Sequence, residues 1–314
     1  MSATTTRLLG LLALWLVLLA ALAIALPGFF RASTVTSVLQ FSTILALVTL
    51  GQSLVVLSGG GGIDLSVGGV VSLCGLTMAA VLQIGWGAAA AIAVSIALGA
   101  ALGLANGVLV TRLGIVPLIA TLGSGYVYAG LAIALTGGAP IRGGGAWLTS
   151  LGRGLIGIVP AHFALLVLPA YALAAALLRF TPAGPWIYAL GGNETAARLT
   201  GIPTGRVRTI LYGASGLLAG LAAVVATAWF GSARPNIGQN LELESLTAAL
   251  LGGVAITGGS GGVAPPLAAV LFLISLKTGI QLANLNTIWQ VGTIGLLLVA
   301  SVLADRFIPG GRRQ

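Results

Sequence analysis

Apolar runs long enough to cross a hydrocarbon core recur along almost the whole chain, from Leu8 to about Ala304, and charged residues only punctuate them. A bilayer core about 30 Å thick needs roughly 20 apolar residues in a helix that rises 1.5 Å per residue. Lipid offers no water to pair with backbone amides and carbonyls, so runs of this length have to form helices with internal hydrogen bonds. With 14 Lys and Arg and 5 Asp and Glu in 314 residues, too few polar groups exist to coat a water-soluble surface. The expected fold class is therefore all-α, a polytopic helical membrane protein with about ten transmembrane helices.

Apolar length and Gly/Pro breaks place the spans at about 8–30, 36–58, 63–83, 86–110, 115–136, 161–179, 209–230, 245–262, 264–283 and 288–304. With the N-terminus inside, Arg7, Arg112, Arg179, Arg198, Arg206, Arg208, Arg306, Arg312 and Arg313 fall on the inner side. Arg31, Arg142, Arg153 and Arg234 fall outside, and Lys277 lies within a span. Basic residues accumulate in cytoplasmic loops, so this distribution predicts an N-in, C-in chain.

The net charge of +9 reads as this orientation signal and not as a nucleic-acid surface, because no basic stripe with interleaved aromatics exists. The single cysteine, Cys74, sits in an apolar run as a small packing residue, and His162 reads as an interfacial polar residue. Arg7 followed by Leu8 to Leu26, with Ala21-Leu22-Ala23, resembles a signal peptide. The run of about 19 residues exceeds the 7–15 of a signal h-region, so it reads as the first span. The longest non-apolar stretches, about 137–160 and 180–208, are too short for a soluble domain. No Gly-x-x-x-x-Gly-Lys-Ser/Thr motif occurs, so the chain cannot hydrolyse nucleotide by a P-loop; if it transports uphill, the energy comes from an ion gradient or another subunit.

Three stretches carry chemical information. Gly59-Gly60-Gly61-Gly62-Ile63-Asp64-Leu65-Ser66 breaks a helix and sets a carboxylate beside the bilayer, which costs about 2.5–3.5 kcal/mol at a span centre. Asp64 reads either as the cap of the next helix or, with Ser66, as the lining of a polar pathway beside a discontinuous helix. Gly191-Gly192-Asn193-Glu194-Thr195-Ala196-Ala197-Arg198-Leu199-Thr200-Gly201 predicts a short interfacial helix in the most basic inner loop, capped by Asn193 and ended at Gly201. It is either a connector or a docking element. Leu251 to Gly262 is half glycine and permits tight packing or a helix break; just upstream, Glu242 and Glu244 are expected on the outer side with Arg234 as a solvated face or a docking surface.

Taken in order, Gly62-Ile63-Asp64-Leu65-Ser66-Val67-Gly68, Asn106-Gly107-Val108-Leu109-Val110, Ile119-Ala120-Thr121-Leu122-Gly123, the 189–202 stretch and Leu251-Gly252-Gly253 with Gly258-Gly259 resemble the ribose-type permeases of bacterial ATP-binding-cassette (ABC) importers. The likeness covers about residues 36 to 305; the chain departs from the family pattern in its longer 59–62 glycine run, at 258–262 and at Tyr128-Ala129-Gly130.

The resemblance implies that residues 1–314 form a single transmembrane permease domain with a coupling loop at about 184–208, resident in the bacterial cytoplasmic membrane among lipid. It implies no covalent chemistry and no cofactor on this chain, ATP being bound by a partner subunit. The partners it implies are a cytoplasmic ATPase, an extracytoplasmic sugar-binding protein, a second permease copy or paralogue, and a pentose or related small sugar. Gly191, Gly192, Asn193, Glu194, Ala196, Ala197, Arg198 and Gly201 are then the ATPase-coupling residues. Gln52, Asp64, Ser66 and Asn106 are candidates for the substrate pathway, and Arg234, Glu242 and Glu244 for docking of the binding protein. The rival readings are an ABC permease for branched-chain amino acids or nucleosides, and an ion-coupled secondary carrier loaded at Asp64.

Overall fold

Helices in the computed structural model break where glycine and proline interrupt the apolar runs; the structure describes residues 3–142 and 146–307. In chain order the helices are α1 (Ala3–Ala25), α2 (Ala32–Leu57), α3 (Val67–Gln83), α4 (Ala88–Thr111), α5 (Pro117–Thr136), α6 (Ala146–Arg153), α7 (Leu168–Phe180, entered through a π turn at Phe163–Val167), α8 (Ala183–Gly192), α9 (Glu194–Leu199), α10 (Thr204–Phe230), α11 (Leu241–Leu251), α12 (Ala264–Leu282) and α13 (Thr287–Phe307). Among the described residues, seven helices are long and apolar enough to cross a membrane, and α3 and the 288–303 part of α13 are shorter apolar helices. The protein is therefore an all-α polytopic membrane protein.

The scaffold is organised around α4 and α10, which run antiparallel with their backbones in close approach. A Cβ at Gly99 would meet the Gly216 carbonyl, one at Gly103 the Tyr212 carbonyl, and one at Gly107 the Thr209 backbone. Lipid tails are as apolar as Leu, so helices associate in a bilayer by such close backbone packing and not by exclusion of apolar surface from water. The same device joins α3 to α5, where Gly69 lies on the Gly125 carbonyl, and α2 to α10, where Gly51 faces Ser215. α10 and α2 are the most enclosed of the long helices, and lipid-facing leucines dominate α1.

On the inner face the Arg7 guanidinium donates to the Gly253 carbonyl, and Arg198 and Arg208 cluster about α9. At the outer face a short β1 (Ile141–Arg142) pairs antiparallel with β4 (Ser232–Ala233), and β2 (Leu155–Ile156) with β3 (Val159–Pro160). Arg312 and Arg313 lie outside the described residues. His162 is buried, not interfacial: its Nδ1 is 2.9 Å from Thr43 Oγ1 on α2.

One expected span is corrected. Residues 245–262 do not cross as a helix. After β4 the chain turns back into the protein as irregular backbone, and the Gly238 amide donates to Ser72 Oγ on α3 at 3.1 Å. α11 then starts beside the first turn of α3, and its 11 residues cover about 16 Å, roughly half a bilayer core. Hydropathy alone reads 245–262 as one run because the end of α11 and the glycine-rich stretch 252–262 that follows it carry no charge. Irregular backbone at this depth survives only where protein satisfies its polar groups, as Ser72 does here.

Candidate functional site

The 58–66 segment between α2 and α3 is the second piece of irregular backbone inside the protein. Gly59, Gly60 and Gly61 adopt φ of 65°, 63° and 69°, a left-handed path that side chains with a Cβ resist. Thr121 on α5 satisfies the backbone of the next residues: its hydroxyl donates to the Ile63 carbonyl at 3.1 Å and accepts from the Leu65 amide at 3.0 Å. Asp64 is then carried inward with 0 % of its surface exposed.

Asp64 is the centre of a hydrogen-bond network just before α3, whose N-cap is Ser66. Oδ1 accepts from the Ser66 amide at 3.1 Å and from Ser66 Oγ at 2.6 Å, and Oδ2 accepts from Ser215 Oγ on α10 at 2.8 Å. Asn106 Nδ2 on α4 donates to Ser66 Oγ at 2.7 Å, and Tyr128 OH on α5 reaches Asn106 Oδ1 at 3.3 Å. Four helices thus converge on one polar cluster. Ser215 lies about 17 Å along α10 from Thr204, in a helix about 40 Å long, so the cluster is within the bilayer interior and not in a cytoplasmic turn. Three of the four sequence-nominated pathway residues, Asp64, Ser66 and Asn106, are brought together. Gln52 lies on α2 beside the Gly51–Ser215 contact, fully buried, with neither amide atom hydrogen-bonded among the described residues. Tyr128 and Ser215 carry no motif of their own; their hydroxyls become informative only once the helices are packed.

Replacing Asp64 with leucine removes the acceptor of two hydroxyls and an amide, each costing about 1–3 kcal/mol when left buried without a partner. The expected result is a large fall in the thermal midpoint of the detergent-solubilised protein. Asp64→Asn, which keeps a carbonyl acceptor, should fall much less. Equal midpoints for the two variants would show that the network does not hold the segment.

At the inner face the three glycine-rich stretches meet. A Cβ at Gly191 would strike the Leu57 carbonyl and the Gly259 amide, one at Gly258 would strike Gly59, and the Gly259 amide donates to the Leu57 carbonyl at 2.9 Å. α9 stands on this junction. Asn193 Oδ1 accepts from the Ala196 amide at 3.0 Å, and Gly201 at φ 85° ends the element. Ala197 packs inward while Leu199 is 85 % exposed. Glu194 pairs with Arg198 at 3.2 Å and with the buried Arg208 at 2.9 Å, and Arg208 Nη2 also donates to the Ser58 carbonyl at 3.3 Å. Arg208, which sequence reading counts only among the basic residues of the inner side, is thus the side chain that joins α9 to the segment leading to Asp64.

Burial opposes ionisation of Glu194, but the hydrogen bond and charge of Arg208, then those of Arg198, outweigh it and hold its carboxyl below the usual carboxylate range. The unfolded or detached loop binds the proton more tightly. The tie is therefore complete above about pH 4.3 and is lost as pH falls through the lower, folded value. A nitroxide on Thr195→Cys should show constant mobility from about pH 8 to 5 and looser motion only below about 4; loosening near neutrality would contradict the pairing.

The outer acidic residues require correction. Arg234 is exposed at the outer lip, its guanidinium 5.8 Å from the Phe230 ring centroid. Glu242 and Glu244 do not form a solvated face with it. They lie in the first turn of α11, next to the start of α3, and a Cβ at Gly68 would strike the Glu242 carboxylate. Glu244 is 6 % exposed and pairs with Lys277 of α12 at 2.7 Å. A buried charge needs a counter-charge, and Lys277, the one basic residue placed within a span, supplies it.

Discontinuous helices whose ends meet around buried polar side chains are the arrangement seen in many helical transport proteins. The family model described as "Branched-chain amino acid transport system / permease component" matches residues 34–302, and the chain belongs to this family, among its ribose-type ABC permeases. It is 35% identical over 297 residues to the ribose import permease protein RbsC of Escherichia coli, which covers 92% of this chain and 91% of that one. RbsC of Bacillus subtilis is 35% identical over 282 residues, 89% of this chain and 87% of that one. The autoinducer 2 import system permease protein LsrC of Yersinia pseudotuberculosis is 33% identical over 292 residues, 92% of this chain and 82% of that one. No solved structure matches. The chain is thus a permease of the cytoplasmic membrane.

Proposed function

We propose that this chain is the membrane subunit of an ABC importer for a pentose or related small sugar, coupled to a separate ATPase through α9. The relatives named for ribose and autoinducer 2 import support a small polyhydroxy substrate. The carrying observation is the connection from α9 through Glu194 and Arg208 to the carbonyl of Ser58, in the same backbone segment that carries Asp64 six residues on. Nucleotide-driven closure of the ATPases moves α9, and the glycine junction transmits that motion to the 58–66 segment, biasing a two-state bundle between outward and inward openings. Gly191, Gly192, Asn193, Glu194, Ala196, Ala197, Arg198 and Gly201 shape the coupling element, and the exposed Leu199 is its apolar contact. Gln52, Asp64, Ser66 and Asn106 line the pathway; Arg234 belongs to the outer surface that receives a sugar-binding protein. A second permease copy or paralogue completes the pore. Counting α3, the coil with α11, and α13 as passages beside the long helices, the chain crosses about ten times with both ends inside.

Affinity capture from mild detergent tests the coupling assignment. The wild-type chain should bring down an ATPase, and Leu199→Glu with Gly201→Leu should lose it while still inserting. Capture unaffected by these changes would make α9 a connector only.

A further inference from the structure

A cleft of about 290 Å³ opens on the outer side between α2, α12 and the coil leading into α11. Its lip carries Phe41, Phe230, Arg234 and Asn236, and its floor carries Glu244 and Lys277. Phe41 lies nine residues into α2 and Leu45 thirteen, so the cleft descends about 14–20 Å from the outer end of that helix. Along α2 the lining therefore sits at about the level of the broken helices.

We infer that this cleft is a substrate-holding station for a small uncharged polyhydroxy compound, with the Glu244–Lys277 pair as its floor and Asn236 and Gln239 as its polar wall. The inference rests on the import reading above and adds where the permease itself holds its cargo. The chemistry is complementary on each side. A carboxylate accepts from sugar hydroxyls, and an ammonium and two amide side chains donate to them. The floor pair is neutral as a whole, so the floor favours an uncharged ligand, and Arg234 at the lip adds a further hydrogen-bond donor. Phe41, 43 % exposed, offers an apolar face for the C–H side of a sugar ring, and Trp229 packed edge-on at 4.6 Å fixes its orientation. The volume lies at the small end of ligand pockets, which run about 300–1,000 Å³. A structural ion pair would need neither an open approach nor exposed amides beside it, yet Lys277 keeps 28% of its side chain accessible and Asn236 and Gln239 are exposed.

The test uses the full chain in membrane vesicles. The single native cysteine, Cys74, is buried, so a cysteine placed in the cleft reports alone. Gln239→Cys should be labelled by a membrane-impermeant maleimide, and about 100 mM D-ribose should slow labelling about threefold or more, because only the empty cleft reacts. Ile158→Cys, on the outer hairpin away from the cleft, should be unaffected by the sugar. Adding Glu244→Gln with Lys277→Met, which removes both charges together, should abolish the protection. No slowing at Gln239→Cys, or equal slowing at Ile158→Cys, would overturn the station; so would protection that persists without the pair. If the charge-neutral chain fails to accumulate, the comparison of the two single-cysteine chains still decides. Labelling needs neither ATP nor an ATPase, so its outcome is separable from that of the coupling reading.

Discussion

Arg208→Ala is expected to separate ATP hydrolysis from transport, lowering ATP-driven sugar uptake tenfold or more (about 1.4 kcal/mol or more) while the partner ATPase continues to turn over. The guanidinium is the only side chain seen to touch both Glu194 of α9 and the carbonyls of Ser58 and Gly59 among the described residues. Its removal leaves α9 seated by Asn193 and the glycine contacts, so docking persists but motion no longer reaches Asp64. Arg208→Lys keeps a charge for Glu194 but loses the planar fork that spans both partners, and should recover only part of the uptake. Glu194→Arg places one like charge against both Arg198 and Arg208 and should uncouple at least as strongly. Uptake and hydrolysis measured together in one preparation check this. Parallel loss of both would mean that Arg208 serves assembly.

Gly103→Leu is expected to have the largest effect on stability. The new side chain would be driven into the Tyr212 carbonyl and the Gly216 backbone, and backbone cannot move aside as a rotamer can. α4 and α10 would separate along the seam that also positions Asn106 and Ser215, so both fold and site fail together. Overpacking alone costs about 1–3 kcal/mol, and loss of the adjoining Gly99 and Gly107 contacts adds to it. The readout is the monodisperse yield from detergent and the thermal midpoint of the surviving protein. Gly123→Leu, at a position where a Cβ meets nothing, is the matched control and should behave as wild type.

The legibility of this molecule in its sequence depends on where the relevant forces act. Apolar length marks most helices, because a lipid-exposed span has to satisfy its backbone within itself. Local chemistry marks α9: Asn193 caps it, Glu194 occupies its first turn and Gly201 ends it, all within nine residues. The glycine runs at 59–62, 191–192 and 258–259 stand out as breaks, but nothing local says that they pack on one another. Glu242 and Glu244 read wrongly as outer-surface acids because an acid beyond a long span resembles an outer loop. A coil that turns inward along α3 leaves Glu242 half-buried and Glu244 buried, and Glu244 pairs with Lys277, 33 residues away. Ser215 is an ordinary helix residue by sequence, and the stretches that hold Thr121 and Tyr128 give neither hydroxyl a role; only packing brings the three to the 63–66 segment and Asn106. The roles of the inner junction thus come from tertiary contact, while its position comes from composition.

The most direct test of ATP-driven import is D-ribose uptake by proteoliposomes containing this chain, with and without its ATPase and binding protein, and with a protonophore. The expected result is uptake that requires ATP and the ATPase, survives the protonophore and is lost in Arg208→Ala. Uptake that proceeds without the ATPase and collapses with the protonophore would contradict the importer assignment and make the chain an ion-coupled carrier loaded at Asp64.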